Sequence, residues 1–267
     1  MKETAIKAAK FAGKLLMDNL GKQTIIGSQY GTELCPVTKE DEDAELIIVE
    51  ILKNEFPDHQ FLGEELGESN TVSDYKWIID PIDGTNNYLD GRDTFSVSIG
   101  LEYKSEIILG VVYLPKRDEL FVAEKGKGAT LNNQAITVSD KFDLIDTIIT
   151  YSTMPGSEGE TENLDNQIIE SIPKVKFFGY KDKKDIDPIF GRGSMAAEFC
   201  YLACGRINGL IRLKQKPWDV AAGSLIAQEA GANMLNLKGE KCSIYEGDFI
   251  AANKLLLEKL MKIIFLN

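Results

Sequence analysis

Residues 77–85 read Trp-Ile-Ile-Asp-Pro-Ile-Asp-Gly-Thr. The apolar start of this stretch predicts a buried strand, and the Asp-Pro and Asp-Gly pairs predict a turn at its end. Asp80 and Asp83 would then lie close together and offer the hard oxygen ligands that Mg²⁺ prefers. Gly84 and Thr85 would open a helix, whose first amides favour an anion. The stretch therefore predicts that a metal and a phosphate meet at one place.

A purely structural explanation of this stretch is also available. Aspartate is common in turns and at helix starts, and for a lone Asp-x-x-Asp-Gly it is the simpler interpretation. It loses weight because three further acids lie at the ends of predicted elements. Asp41 is in the first turn of a helix, Glu64 follows a short apolar run, and Asp219 follows Trp218 at a helix start. Singly, each could be a capping or surface acid; together they indicate a site.

Bulk properties limit the classes of function. The chain has 267 residues, of which 43% are hydrophobic, and a net charge of −12. This charge argues against a nucleic-acid partner, which calls for a basic face, but it allows an anionic substrate if bound cations reverse the sign locally. No signal peptide or membrane-length apolar run is visible. The lack of such a run predicts no membrane partner. The four cysteines lack Cys-x-x-Cys spacing, which favours a reducing cytoplasm.

The pattern of elements predicts a mixed α/β chain. An N-terminal half, 1–140, should carry most of the metal ligands, and a half at 141–267 should complete one continuous catalytic unit. The first half is predicted to hold helices at 2–20 and 39–55 and an antiparallel meander at 76–80, 95–103, 107–114, 120–123 and 135–138. The second half alternates strands at 147–152, 175–178, 209–213, 233–237 and 249–252 with helices at 162–171, 194–204, 218–230 and 254–264. Polar segments at 156–162 and 181–187 are interpreted as solvated loops, although 181–187 could approach a substrate.

Three motifs in order carry a family resemblance. They are Gly63-Glu64-Glu65, the string from Asp80 to Thr85, and Trp218-Asp219-Val220-Ala221-Ala222-Gly223. With these motifs the chain resembles the inositol monophosphatase family, over nearly its whole length. That family belongs to a Mg²⁺-dependent, Li⁺-sensitive superfamily that also holds fructose-1,6-bisphosphatases and 3′(2′),5′-bisphosphate nucleotidases. The resemblance implies a layered α/β/α/β/α fold and the hydrolysis of a small phosphorylated polyol or sugar.

The resemblance also implies roles for individual residues. Two or three Mg²⁺ ions would be held by Glu64, Asp80, the carbonyl of Ile82, Asp83 and Asp219. The attacking water would be oriented by Glu64, Thr85 and Asp41. The substrate would be contacted by Asp83, Gly84 and Thr85 at its phosphate, and by Gly193 and Ser194 at its organic part. The family often forms dimers, so a homodimer is an expectation.

One position departs from the family pattern. Inositol-specific members typically carry a glutamate seven residues before the Trp-Asp aspartate, and this chain has Arg212 there. A guanidinium in the pocket would favour a second phosphate or a carboxylate. Alternatively, Arg212 lies on a strand and points to solvent, since a shift of one residue reverses the face.

Three functional hypotheses remain open from the sequence. The first is a Mg²⁺-dependent phosphomonoesterase, and the second is a phosphatase for a bisphosphate such as fructose 1,6-bisphosphate or 3′-phosphoadenosine 5′-phosphate. The third is a non-catalytic regulatory partner of RNA polymerase or RNA. Under the first two hypotheses, Asp83→Asn should abolish turnover with little loss of fold, because the side-chain amide keeps the shape of the carboxylate and removes its charge.

Overall fold

Of the 267 residues, the computed structural model describes 1–29, 34–153, 162–172, 175–177 and 193–265. The segments at 156–161 and 181–187 lie outside the described residues. Helices are α1 (Lys2–Asn19), α2 (Lys39–Glu55), α3 (Thr85–Leu89), α4 (Glu162–Ser171), α5 (Met195–Ala203), α6 (Pro217–Glu229) and α7 (Lys254–Phe265), with a 3₁₀ turn at Leu144–Asp146. Within these described ranges, no helix combines the length and apolarity needed to cross a bilayer.

Fifteen strands are found in the described residues. They are β1 (Ile25–Ser28), β2 (Pro36–Thr38), β3 (Gln60–Gly63), β4 (Gly67–Glu68), β5 (Tyr75–Asp83), β6 (Ser96–Tyr103), β7 (Glu106–Leu114), β8 (Glu119–Glu124), β9 (Ala129–Leu131), β10 (Gln134–Ile136), β11 (Ile149–Thr153), β12 (Val175–Phe177), β13 (Gly209–Leu213), β14 (Asn233–Leu235) and β15 (Phe249–Ala252). The large sheet has the order β10-β9-β8-β7-β6-β5-β3-β4, the small sheet β12-β11-β13-β15-β14, and β1-β2 form a hairpin.

The three apolar clusters define five layers. The first joins α1 and α2 to one face of the large sheet. The second places α5 and α6 between the two sheets, and the third covers the outer face of the small sheet with α4 and α7. Both faces of each sheet are therefore covered in the core, as layered α/β folds require. The predicted α/β/α/β/α arrangement is confirmed.

The meander is also confirmed, since neighbouring strands from β5 to β10 pair antiparallel. On its other edge β3 pairs parallel with β5. In the small sheet β11 pairs parallel with β12 and β13, whereas β13 and β15 are antiparallel. The parallel pairs bring the ends of β3 and β5 to the same edge of the large sheet, which is where Glu64 and Asp80 lie.

The turn predicted at Asp80 is wrong. Strand β5 continues to Asp83, with an irregularity in its pairing to β6 between Asp80 and Asp83. Pro81 lies inside this bulge, where the missing ladder hydrogen bond is tolerated. The chain reverses at Gly84, whose φ of 90° is left-handed, and α3 begins at Thr85. The bulge aims the carboxylates of Asp80 and Asp83 into one cavity.

Helix α6 lies unusually close to the large sheet. A Cβ placed on Gly110 of β7 would be 2.4 Å from the carbonyl oxygen of Ala222, so only glycine permits this approach. The contact seats the N-terminal turn of α6 above the end of β5. Asp219, in that turn, is thereby brought to Asp80 and Asp83.

Candidate metal and phosphate site

A cavity of about 120 Å³ opens where the two sheets and the α5–α6 layer meet. Its described lining includes nearly all of the residues predicted for the site: Glu64, Asp80, Ile82, Asp83, Gly84, Thr85, Gly193, Ser194, Arg212 and Asp219. Asp41 does not line the cavity but contacts Thr85. Residues from the large sheet, the small sheet and both inner helices thus converge on one space.

Three carboxylates form a compact group. Asp80, Asp83 and Asp219 each present one oxygen, and these three oxygens lie within 4.8 Å of one another. Asp80 is buried, and its Oδ1 has no hydrogen-bond partner. Asp83 is also buried and Asp219 is half-buried, and acids so close together repel one another unless a cation lies between them. The all-oxygen ligand set fits a hard divalent cation such as Mg²⁺. Glu64 lies in the same cavity but outside this group of three.

The protonation equilibria of the acids reflect their crowding. Burial, followed by the charge of Asp83, raises the pKa of Asp219 to about 7. Burial and then the charge of Glu64 raise the pKa of Asp80 well above its ordinary value. Burial and then Asp219 raise the pKa of Glu64 in the same way. Without a cation, the folded protein therefore holds protons here that an unfolded chain would release.

A hydroxyl–carboxylate pair lies beside the carboxylate group. The Thr85 hydroxyl is 3.3 Å from Asp41 Oδ1 and 3.1 Å from the carbonyl oxygen of Ile82. Asp41 Oδ2 accepts hydrogen bonds from the amide and hydroxyl of Thr38 at 2.7 and 2.6 Å, which completes a capping box at the start of α2. Burial raises the pKa of Asp41 to about 6, although Thr38 and Thr85 act in the opposite direction. The pair can polarise a water molecule that enters the cavity.

Asp83 has a structural task as well. Its Oδ1 accepts a hydrogen bond from the amide of Met195 at 2.9 Å, and its Oδ2 accepts one from the amide of Ala196 at 2.7 Å. The hydroxyls of Ser194 and Ser96 also donate to Oδ2. These amides are the first of α5, whose unpaired N–H groups need acceptors. Asp83 therefore fastens the start of α5 to the end of β5.

Glu45 is a site residue that sequence reasoning missed. Its buried carboxylate accepts hydrogen bonds from the amides of Glu65 and Leu66 at 2.8 and 3.2 Å. It reaches them across Gly63, where a Cβ would lie 1.7 Å from Glu45 Oε1. Glu45 thus holds the turn that presents Glu64. The available signal was its position one helical turn after Asp41, which places both acids on one face of α2.

We predict that Gly63→Ala disturbs this turn. The new methyl group should expel the Glu45 carboxylate and leave two amides without their acceptor, at a cost of about 2–4 kcal/mol. Displacement of Glu64 should also weaken Mg²⁺ affinity about tenfold or more, as supporting residues of metal sites do. Thermal unfolding and Mg²⁺ titration measure both effects. Gly27→Ala, where a Cβ has open space, is the control; equal behaviour of the two variants would contradict the role of Glu45.

The alternative that Arg212 points to solvent is wrong, since only 1% of the residue is exposed. However, its guanidinium is not available as an unpaired cation for a second phosphate. It forms a buried ion pair with Glu198 of α5 and donates to the Thr150 hydroxyl at 2.9 Å. This partner could not be predicted, because Glu198 looks like an ordinary acid in the first turn of a helix. Gln29 and Cys35 also line the cavity and were missed.

Comparison with known proteins decides the family. The family model described as "Inositol monophosphatase family" matches residues 1–264. The chain belongs to this family. The resemblance carried by the three motifs is thus confirmed.

Members of the inositol monophosphatase family with different names are similar to this chain. A Nus factor SuhB of Vibrio cholerae is 36% identical over 256 residues, which cover 95% of this chain and 91% of the relative. A fructose-1,6-bisphosphatase/inositol-1-monophosphatase of Aquifex aeolicus is 34% identical over 261 residues, covering 98% and 94%. The solved structure of an inositol monophosphatase from Anabaena (Nostoc) sp. superposes with a TM-score of 0.82 at 29% identity, covering 99% of this chain and 94% of that one.

Proposed function

We propose that this protein is a Mg²⁺-dependent phosphomonoesterase that acts on a small phosphorylated polyol or sugar. The observation that carries the proposal is the compact group of Asp80, Asp83 and Asp219. The buried Oδ1 of Asp80 has no hydrogen-bond partner, and all three residues line the cavity. A buried acid with no partner is costly. Its presence is explained if a cation binds there during function.

The chain's own residues divide the work of hydrolysis. Asp80, Asp83, Asp219, Glu64 and the carbonyl of Ile82 would hold the ions. Bound Mg²⁺ would neutralise phosphate oxygens and lower the pKa of the attacking water. Thr85, hydrogen bonded to Asp41, would orient that water and take part in removing its proton. Gly84, Gly193 and Ser194 would contact the phosphate and the organic part of the substrate. A phosphate monoester calls for such positioning and charge neutralisation, and no protein nucleophile is required.

A phosphate-release assay tests this proposal. Inositol 1-phosphate is incubated with the protein in saturating Mg²⁺, in chelator, and in Mg²⁺ with added Li⁺. We expect release that depends on Mg²⁺ and is inhibited by Li⁺. Asp80→Asn serves as the inactive reference, because it removes the unpartnered carboxylate and keeps its volume. Release that persists in chelator, or that Asp80→Asn leaves unchanged, would contradict the proposed chemistry.

A second candidate is a non-catalytic regulatory role, which similarity to proteins named Nus factor SuhB favours. The same similarity removes support from the expectation, based on a net charge of −12, that no nucleic acid is bound. Fluorescence anisotropy with labelled RNA tests this role, with and without Mg²⁺. Binding that survives Asp80→Asn while phosphate release is lost would assign the two activities to separate features of the molecule.

A further inference from the structure

A buried ion pair forms one end of the cavity. Arg212 of β13 and Glu198 of α5 are 1% and 3% exposed, and Arg212 Nη2 is bonded to Glu198 Oε2. The same Nη2 donates to the Thr150 hydroxyl at 2.9 Å, and Nη1 donates to the carbonyl oxygen of Ile211 at 2.7 Å. Glu198 and Arg212 both line the cavity that holds the three aspartates. The pair is therefore held in a fixed geometry, and it forms part of the wall that a ligand in the cavity would contact.

Strand register sets the direction of Arg212. Along β13, Ile211 and Leu213 pack against the outer helices, whereas Leu210 packs against the α5–α6 layer. Because side chains alternate, Arg212 shares the inner face with Leu210. On the facing helix, Glu198 Oε1 lies next to Gly193 of the cavity wall, 3.7 Å from where a Cβ would stand. One oxygen of Glu198 thus engages Arg212 and the other borders the substrate space.

The pair changes the charge available to a substrate. Among the described residues that line the cavity, Arg212 is the only cation, and Glu198 neutralises it. A second phosphate at this end would have to displace the Glu198 carboxylate or lie beside it, and like charges at contact are unfavourable. A hydroxyl group meets no such obstacle, because it can donate to a carboxylate oxygen.

We propose that the Glu198–Arg212 pair is a specificity determinant that selects monophosphates with an uncharged, hydroxyl-bearing body and rejects a second anionic group. This inference rests on the proposed phosphatase function and names its substrate class. In this proposal the Glu198 carboxylate accepts a hydrogen bond from a hydroxyl group of the substrate, and Arg212 holds Glu198 in position. The predicted preference is the reverse of the one that Arg212 suggests when it is considered without its partner.

A charge cycle of four proteins tests the proposal: the parent, Glu198→Gln, Arg212→Gln and the double variant. The net charge of the pair is then zero in the parent, positive in Glu198→Gln, negative in Arg212→Gln and zero in the double variant. For each protein the ratio of kcat/KM for fructose 1,6-bisphosphate to that for inositol 1-phosphate is measured in Mg²⁺. A ratio within one protein cancels any activity lost through destabilisation, and thermal unfolding reports that destabilisation separately.

We expect the ratio to follow the charge of the pair. Glu198→Gln should raise it by about tenfold or more, since the guanidinium then no longer faces a carboxylate in the cavity and a charge-assisted contact to a phosphate is a strong one. Arg212→Gln should lower it, and the double variant should return close to the parent. Ratios that are equal in all four proteins would overturn the proposal, as would a parent that prefers the bisphosphate.

Calorimetric binding of the two esters in Mg²⁺ separates this inference from the proposed function. If neither ester is hydrolysed, the proposed function fails, while the ratio of the two dissociation constants still reads the selectivity of the pair. A ratio of dissociation constants that follows the charge of the pair across the four proteins supports the inference. The same ratio in all four proteins overturns it.

Discussion

Replacing Asp83 by asparagine is expected to abolish turnover and, contrary to the expectation from the sequence alone, to loosen the fold at the same time. The loss of one carboxylate from the group of three should reduce kcat by at least about 10³-fold, because the bound ions lose charge and a ligand. The fold is affected because both Asp83 oxygens accept amide hydrogens from the start of α5. The side-chain amide of an asparagine would direct its own N–H groups at one of those backbone amides. This should lower the free energy of unfolding by about 3 kcal/mol.

The measurements are phosphate release in saturating Mg²⁺ and thermal unfolding without metal. A fall in the unfolding temperature of roughly 5–10 °C corresponds to that cost in a chain of this size. Asp74→Asn is the matched control, since Asp74 is an exposed acid whose salt bridge to Lys104 is 3.6 Å long. Near-normal turnover of Asp83→Asn would exclude it from the metal ligands. Unchanged stability would mean that α5 is held by other contacts.

The metal-free protein is expected to lose stability as the pH rises from about 5 to about 8. The pKa of Asp219 is raised from 3.8 to about 7 in the folded state. Between these values the folded protein binds more protons than the unfolded chain, so raising the pH through this window favours unfolding. Asp41, with its pKa raised to about 6, contributes in the same direction.

Saturating Mg²⁺ should abolish most of this dependence, because it replaces the protons as the counter-charge and stabilises the folded state by mass action. Thermal unfolding at both pH values, with and without Mg²⁺, measures the effect. The metal-free Asp80→Asn variant should be more stable than the parent at about pH 8, because one of the mutually repelling carboxylates has been removed. Mg²⁺ should stabilise this variant less than the parent, because the same carboxylate would bind the ion. A parent protein whose metal-free stability rises over this window would contradict the assignment of the cluster.

The sequence was sufficient for elements that local signals define. Helix α2 follows from a capping box at Thr38 and Asp41, and its predicted bounds agree with the structure. Strand β13 likewise matches its apolar run. The short strands β1, β2, β4 and β9 were missed, because two to four residues cannot show an alternating pattern. The short apolar run before Glu64 did indicate the end of a strand, but the parallel pairing of that strand, β3, with β5 depends on a distant partner and could not be predicted.

The residues of the candidate site likewise fall into those that local motifs predict and those that depend on tertiary packing. Motif residues such as Asp80 and Asp219 could be named, because each belongs to a recognisable local motif: Asp80 to the string that runs to Thr85, and Asp219 to the helix start after Trp218. The partner of Arg212 could not, since its contact with Glu198 depends on how α5 packs against the small sheet. Tertiary packing of this kind decides which charges are neutralised. Charge alone, counted along a sequence, therefore predicts a substrate preference at Arg212 that is opposite to the one proposed for the Glu198–Arg212 pair.

The structural role of Asp83, alongside its proposed role as a metal ligand, has an evolutionary consequence. A lineage that abandoned hydrolysis would still be selected to keep an acceptor at this position, because α5 depends on it. Retention of Asp83 in a relative is therefore weak evidence that the relative is an enzyme. Asp80 is the more informative position, since its buried Oδ1 has no structural partner and drift to a neutral residue would relieve repulsion. Among relatives that differ in name, the residue at position 80 should separate those under selection for catalysis from those that keep only the scaffold.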